Sequence, residues 1–145
     1  MAMLPFCGYN MADYFGHWLD MGTRIRRPPK IFHVNWFRTD EKGKFLWPGF
    51  GENLRILEWI LARQRDEVGG IETPIGIVPN PKDIDMSGLD LPAETMTQLL
   101  AIHPKDWLAE IDAVGQFFET FGTRMPEELW QQNEALRRRV QAAAK

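Results

Sequence analysis

Residues 29–53 read PKIFHVNWFRTDEKGKFLWPGFGEN, and this stretch decides the architecture of the chain. Residues 31–37 are rich in β-branched and aromatic side chains, which predicts a buried strand. The polar residues 39–43 predict a turn, and residues 45–50, which include Pro48 and Gly49, predict an irregular aromatic loop. We therefore expect one central strand followed by a turn and a loop, with a helix beginning after Gly51.

Helical spacing dominates on both sides of this stretch. Asn10 precedes apolar residues at positions 11, 14, 15, 18 and 19, which predicts a capped amphipathic helix that ends at Gly22. A second helix is expected from Gly51 to about Glu67, then a loop over 73–90 with at most a short strand at 75–78. Three more helices are predicted over 91–102, 104–121 and from 126 onward. The chain itself is predicted to be mostly helical, with one central strand and irregular loops.

The composition is that of one soluble globular unit, since 44% of the 145 residues are hydrophobic and 26% are charged. A formal net charge of −3 provides no field that would attract nucleic acid. No run approaches the roughly 20 apolar residues of a membrane span, and the first residues lack the order of a secretory signal. The single Cys7 fits a reducing compartment. We expect a cytoplasmic protein that binds neither nucleic acid nor membrane.

The aromatic loop and the following helix start have the residue types of a purine-binding site. Stacking a base on an aromatic ring contributes about 1–3 kcal/mol, and three phenylalanines are available if the turn folds back. Backbone amides at the helix start and the side chain of Asn53, which has both a donor and an acceptor, can bind the edge of the base. Adenine lacks the carbonyl acceptor of guanine and would leave such donors unsatisfied. The pattern is compatible with a guanine site formed by Phe37, Phe45, Phe50, Gly51, Glu52 and Asn53.

The same residues also fit an ordinary aromatic core followed by a capped helix. In that interpretation Asn53 is only a helix cap, and the phenylalanines are only packing residues. Residue types and spacing alone leave both interpretations open.

Residues 29–38 (PKIFHVNWFR) and 43–53 (GKFLWPGFGEN) are strongly similar to the carboxy-terminal region of GTP-dependent phosphoenolpyruvate carboxykinases. The resemblance extends to residues 5–10 (PFCGYN), to the helix through 17–19 and to 73–76 (TPIG), and it is looser beyond about Pro81. It implies that the fold class is α/β overall and that the chain is part of a P-loop-type nucleotide-binding domain. It also implies that Phe37, Phe45 and Phe50 enclose the guanine of GTP or GDP, and that residues 50–53 contact it through the backbone and the Asn53 side chain.

The resemblance implies a carboxy-lyase of gluconeogenesis that converts oxaloacetate and GTP to phosphoenolpyruvate, GDP and carbon dioxide. It further implies manganese and magnesium as metals and a monomeric complete enzyme. The phosphate-binding motif GxxxxGK[ST] of the family does not occur in this sequence. The family's metal ligands, substrate-binding arginines and active-site lid align upstream of Met1. We therefore expect no catalytic or metal-binding residue in these 145 residues, and no activity from them alone.

We expect residues 1–145 to be the carboxy-terminal part of the nucleotide-binding domain, with a guanine-pocket region over 1–80 and a helical tail over 81–145. The alternative is a stand-alone guanine-nucleotide-binding or protein-interaction module without catalysis, which the missing phosphate motif favours. Such a module would have to fold alone. As a fragment, the chain is expected to expose apolar surface.

The remaining polar candidates are predicted to be structural. His17 is expected on a helix surface or in packing, His33 in the core of the predicted strand, and His103 at a helix boundary. Cys7 is assigned to packing. A calcium loop is rejected because the glycine and terminal glutamate that it requires are missing around Asp83, Asp85 and Asp90.

Overall fold

A computed structural model describes residues 4–144, which form two compact units. Within the described residues, the first unit comprises 4–29 and 103–144, and the second comprises Lys30–Ile102. The described residues contain five α-helices: α1 (Met11–Arg24), α2 (Asn53–Gln64), α3 (Ala93–Leu100), α4 (Pro104–Glu119) and α5 (Glu127–Ala143). Their only sheet has two antiparallel strands, β1 (Ile71–Thr73) and β2 (Gly76–Val78). The mostly helical fold is thus confirmed, and no helix among residues 4–144 is long and apolar enough to cross a membrane.

Helix α1 begins as predicted and ends two residues later than predicted. The Oδ1 atom of Asn10 accepts a hydrogen bond from the N–H of Ala12 at 2.9 Å, which satisfies a donor that the first turn leaves unpaired. Gly22 does not end the helix, because the next two residues bind back to Asp20. Thr23 Oγ1 donates to its carbonyl at 2.8 Å, and Arg24 Nε pairs with its carboxylate at 2.8 Å.

The core of the first unit is formed by α1 together with the residues that follow α4. Met11, Ala12, Phe121 and Met125 are buried there, and Cys7 packs against them in a half-buried position. Trp18, in contrast, is 48% exposed, so this position of the apolar series does not belong to the core of the first unit. It lies beyond the core-facing start of α1, and its ring contacts only the edge of Tyr14 among the described aromatic residues.

The second unit has its own core beneath α2 and α3. The buried side chains are Trp47, Trp59, Ile84 and Met96, and Phe32 and Trp36 pack against them. Helix α2 ends at Gln64 instead of near Glu67, because Asp66 adopts a left-handed φ of 58° that a continuing helix cannot have.

The predicted central strand over residues 31–37 is wrong. The segment is extended, and its side chains alternate between half-buried (Phe32, Val34, Trp36) and exposed (Ile31, His33, Asn35, Phe37). A strand also needs a hydrogen-bonded neighbour, and among residues 4–144 no segment forms a ladder with this one. His33 is consequently exposed and is not the core histidine that the sequence predicted.

The strands that do form lie after α2. Their register pairs Ile71 with Val78 and Thr73 with Gly76, which leaves a two-residue hairpin turn. Gly76 has a φ of 121°, a conformation that favours glycine. The predicted short strand at 75–78 corresponds to β2, and its partner β1 was not predicted.

Replacing the buried Ile111 by alanine is expected to lower the free energy of unfolding by about 2–5 kcal/mol, because the removed methyl groups leave a cavity. This side chain, on α4, is only 1% exposed. The matched control is Val114→Ala, which alters an exposed apolar residue on the same helix and is expected to cost less than about 0.5 kcal/mol. Calorimetry of the complete protein measures both. Equal losses for the two variants would show that α4 does not bury the Ile111 face.

Candidate functional site

A turn centred on Asp40 folds residues 39–45 back on themselves. The Oδ1 atom of Asp40 accepts hydrogen bonds from the backbone N–H groups two and four residues later, both at 2.9 Å. Gly43 has a φ of 78°, which glycine adopts without steric strain. The turn closes with a backbone bridge between Thr39 and Phe45.

This turn places Phe45 beside Phe37. The two ring centroids are 6.1 Å apart with an interplanar angle of 64°, an edge-to-face arrangement within the favourable range for aromatic pairs. Both side chains are exposed. The pair therefore presents apolar ring surface to solvent, where a flat ligand can reach it.

Arg38 anchors the turn to the end of α3. Its Nη1 atom donates to the carbonyl oxygens of Leu99 at 3.0 Å and Ala101 at 2.7 Å. Because these carbonyls belong to the carboxyl end of a helix, where intrahelical donors are lacking, a guanidinium is a suitable partner. The connection holds the Phe37–Phe45 pair to the packed part of the second unit.

Phe50 is the third phenylalanine predicted to enclose the base and the most exposed of the three, with 91% of its surface accessible. It follows Gly49, whose φ of 133° favours glycine, and it opens a short 3₁₀ helix (Phe50–Glu52) that leads into α2. Among residues 4–144, Phe50 has no ring partner. Its ring faces are thus free of intramolecular aromatic stacking.

Four backbone amides, those of residues 50–53, were predicted to bind the base, and two of them are instead hydrogen-bonded at the 3₁₀ helix. The N–H of Glu52 donates to the carbonyl of Gly49 at 3.1 Å, and the N–H of Asn53 donates to the carbonyl of Phe50. Within the part of the chain that the structure describes, the N–H groups of Phe50 and Gly51 have no acceptor. These two remain available as backbone donors.

The side chain of Asn53 does not cap α2. Its Oδ1 atom instead accepts a hydrogen bond from the indole Nε1 of Trp47 at 2.8 Å, and the residue at the cap position, Glu52, makes no side-chain capping bond. The Nδ2 group of Asn53 has no acceptor among residues 4–144 and remains a potential donor. The contact with Trp47 was not predicted. The two residues are six apart across a proline and glycines, a spacing that matches neither helix nor strand periodicity.

The carboxylate of Glu52 is held by an ion pair. Its Oε2 atom lies 2.6 Å from Arg55 Nε, and Arg55 Nη1 donates to the backbone carbonyl of Asp85 at 2.7 Å. The side-chain hydroxyl and the backbone N–H of Ser87 both donate to the Asp85 carboxylate, and they lower the pKa of that group. Because its N–H is bonded to the Gly49 carbonyl and its carboxylate is paired with Arg55, Glu52 offers no free donor to a ligand within the described residues.

Two other candidate residues, His17 and His103, belong to the first unit. His17 is exposed on α1, and His103 is the residue before the first turn of α4, as predicted. Among residues 4–144, no group of three or more His, Cys, Asp or Glu side chains could hold a metal ion.

Comparison with known proteins defines the class to which this arrangement belongs. A family model of the phosphoenolpyruvate carboxykinase C-terminal P-loop domain matches residues 1–139. Three relatives, each named phosphoenolpyruvate carboxykinase [GTP], align with nearly the whole chain. The protein from Neocallimastix frontalis is 48% identical over 98% of this chain. Those from Corynebacterium efficiens and Anaeromyxobacter dehalogenans are both 44% identical, over 99% and 100% of it.

The chain therefore belongs to the GTP-dependent phosphoenolpyruvate carboxykinase family. It spans about a quarter of the length of these relatives, since the matched region is 24% of each. The proposed division into a guanine-pocket region over 1–80 and a helical tail over 81–145 stays a prediction.

Proposed function

We propose that residues 37–53 form the guanine-binding pocket of a GTP-dependent phosphoenolpyruvate carboxykinase. The complete enzyme would convert oxaloacetate and GTP to phosphoenolpyruvate, GDP and carbon dioxide, a carboxy-lyase reaction of gluconeogenesis. In this proposal the present chain binds the base, and residues outside it bind the phosphates and the reacting part of the substrate. The alignment of nearly the whole chain with enzymes of that name supports the assignment.

The observation that carries the proposal is the exposure of three phenylalanine rings in the same stretch of chain, 37–53, that has free donors at the start of α2. An aromatic core would bury these rings, yet Phe37, Phe45 and Phe50 are all exposed. Stacking of a base on one ring contributes about 1–3 kcal/mol, so even part of this surface would hold a purine measurably. The rings would bind any purine and therefore cannot by themselves select guanine.

Selection would come from the donors at the start of α2. The Nδ2 group of Asn53 and the N–H groups of Phe50 and Gly51 are free to donate, and guanine has a carbonyl oxygen at position 6 that accepts. Adenine has an amino group at that position, so two hydrogen-bond donors would face each other without an acceptor. A buried donor without a partner costs about 1–3 kcal/mol, which corresponds to a preference of about 5- to 150-fold.

A stand-alone module is less consistent with the surface of α2. Leu54, Leu57 and Leu61 recur at helical spacing, and all three are exposed. An apolar stripe of this kind usually packs against other protein. In our proposal the rest of the carboxykinase covers it.

Manganese and magnesium are part of the proposal only because the resemblance to the family implies them. The described residues 4–144 contain no group that fits such an ion, so the metals have no assigned ligand here. We also propose that the complete enzyme is a monomer and that it lies in the cytoplasm, a reducing compartment that suits the single cysteine of this chain.

The proposal is tested by Asn53→Ala in the complete enzyme. We expect kcat/KM for GTP to fall by about 5- to 150-fold, because a donor to the guanine carbonyl is lost, while kcat/KM for ATP changes less than about twofold. The dependence on manganese should not change. The matched control is Asn80→Ala, since the Asn80 side chain caps a short helix by accepting from the N–H of Lys82 at 3.3 Å. Equal losses with GTP and ATP would limit Asn53 to a structural role.

A further inference from the structure

We infer that Trp47 is a specificity-determining positioning residue, because its indole N–H fixes which end of the Asn53 amide can face a bound base. This inference rests on the proposed function, since it assumes that the base binds next to Asn53. It adds a residue that does not itself need to touch the nucleotide.

The hydrogen bond between the two side chains determines the orientation of the amide. An indole nitrogen can only donate, so the Asn53 atom at 2.8 Å from Trp47 Nε1 must be the oxygen. The oxygen and the nitrogen of the amide diverge from the same carbon atom, and the NH₂ group, which has no acceptor among the described residues, is the one left to donate to a ligand. Trp47 is itself held firmly: it is 6% exposed, lies in the core of the second unit, and has the Trp36 ring at 6.0 Å.

This orientation distinguishes the two purines. At position 6 of the purine, an outward NH₂ group matches the carbonyl oxygen of guanine, whereas an outward oxygen would match the amino group of adenine. A free asparagine can rotate and serve either base. With its oxygen bound to Trp47, rotation of Asn53 would place NH₂ against the indole N–H and break the bond. The indole therefore favours the guanine-binding orientation.

The same core offers a matched control in Trp59. It is also 6% exposed and belongs to the same cluster as Trp47. Its Nε1 atom is buried without a hydrogen-bond partner among the described residues. Replacing either tryptophan by phenylalanine removes similar volume from one core, but only the change at position 47 removes a hydrogen bond to Asn53.

The experiment measures kcat/KM of the complete enzyme with GTP, ITP and ATP for Trp47→Phe and Trp59→Phe. We expect Trp47→Phe to lower the ratio of the GTP value to the ATP value by about 2- to 12-fold, the worth of one net hydrogen bond. ITP should follow GTP, because hypoxanthine has the same carbonyl. Trp59→Phe should leave the ratio unchanged. The ratio does not depend on the fraction of folded enzyme, so partial unfolding of a variant does not obscure the result.

A double-mutant cycle with Asn53→Ala completes the test. If Trp47 acts through the Asn53 amide, adding Trp47→Phe to Asn53→Ala should change the ratio no further. An unchanged ratio in Trp47→Phe alongside a reduced ratio in Asn53→Ala would overturn this inference and leave the proposed function standing. Equal reductions in Trp47→Phe and Trp59→Phe would also overturn it, since both would then reflect core packing. No reduction in Asn53→Ala would refute the proposed site and the inference together.

Discussion

Purified alone and supplied with oxaloacetate, GTP and manganese, the 145-residue chain is expected to produce no phosphoenolpyruvate above the no-enzyme blank. Phosphoryl transfer depends on metal ions and on positively charged groups that hold the phosphates in line. The sequence has no GxxxxGK[ST] motif, and residues 4–144 include no group that could hold a metal. Stacking and edge contacts can position a base, but they cannot stabilise the charge that develops during transfer.

The control for this assay is the complete enzyme at the same molar concentration and under the same conditions. Circular dichroism of the isolated chain should accompany it, so that the helical content is known. Turnover by a helical preparation free of the full-length protein would contradict the assignment of the catalytic groups to residues outside the chain.

Phe50→Ala in the complete enzyme is expected to raise KM for GTP by about 5- to 150-fold with little change in kcat, the amount that corresponds to one lost stacking contact. The native ring is 91% exposed and has no aromatic partner in the described part of the chain, so its removal should affect stability little. ATP should be affected by a similar factor, because stacking does not distinguish purines.

Leu54→Ala is the matched control for this substitution, since it removes another apolar side chain from the start of α2, one that our proposal places against the rest of the carboxykinase and not against the base. It should leave KM for both nucleotides within about twofold. A Phe50→Ala protein that loses thermal stability while its KM stays at the native value would place the ring in an interface and not in a nucleotide pocket.

Structural elements that depend only on residues close together in the sequence could be predicted. The start of α1 follows from Asn10, because a cap depends only on neighbouring residues. The turn over 39–45 follows from Asp40 and Gly43 for the same reason. Helix α2 begins with Asn53, close to where glycine and apolar spacing predicted it.

Features that depend on distant partners could not be predicted. Residues 31–37 have strand-like alternation, but a strand exists only beside another strand, and residue types do not tell whether one is present. The Arg38 contacts with the end of α3 join residues more than 60 positions apart. The bond from Trp47 to Asn53 spans only six residues, yet it requires the irregular path through Pro48 and Gly49, which no periodicity describes.

The position of the base in a crystal structure of the complete protein with GDP tests the central claim most directly. We predict that the guanine ring stacks on Phe50 and contacts the Phe37–Phe45 pair. Its position-6 oxygen should then lie within about 3.2 Å of Asn53 Nδ2, while Asn53 Oδ1 keeps its bond to Trp47. A GDP molecule whose base binds away from residues 37–53, with the three phenylalanine rings packed against other protein, would contradict the account.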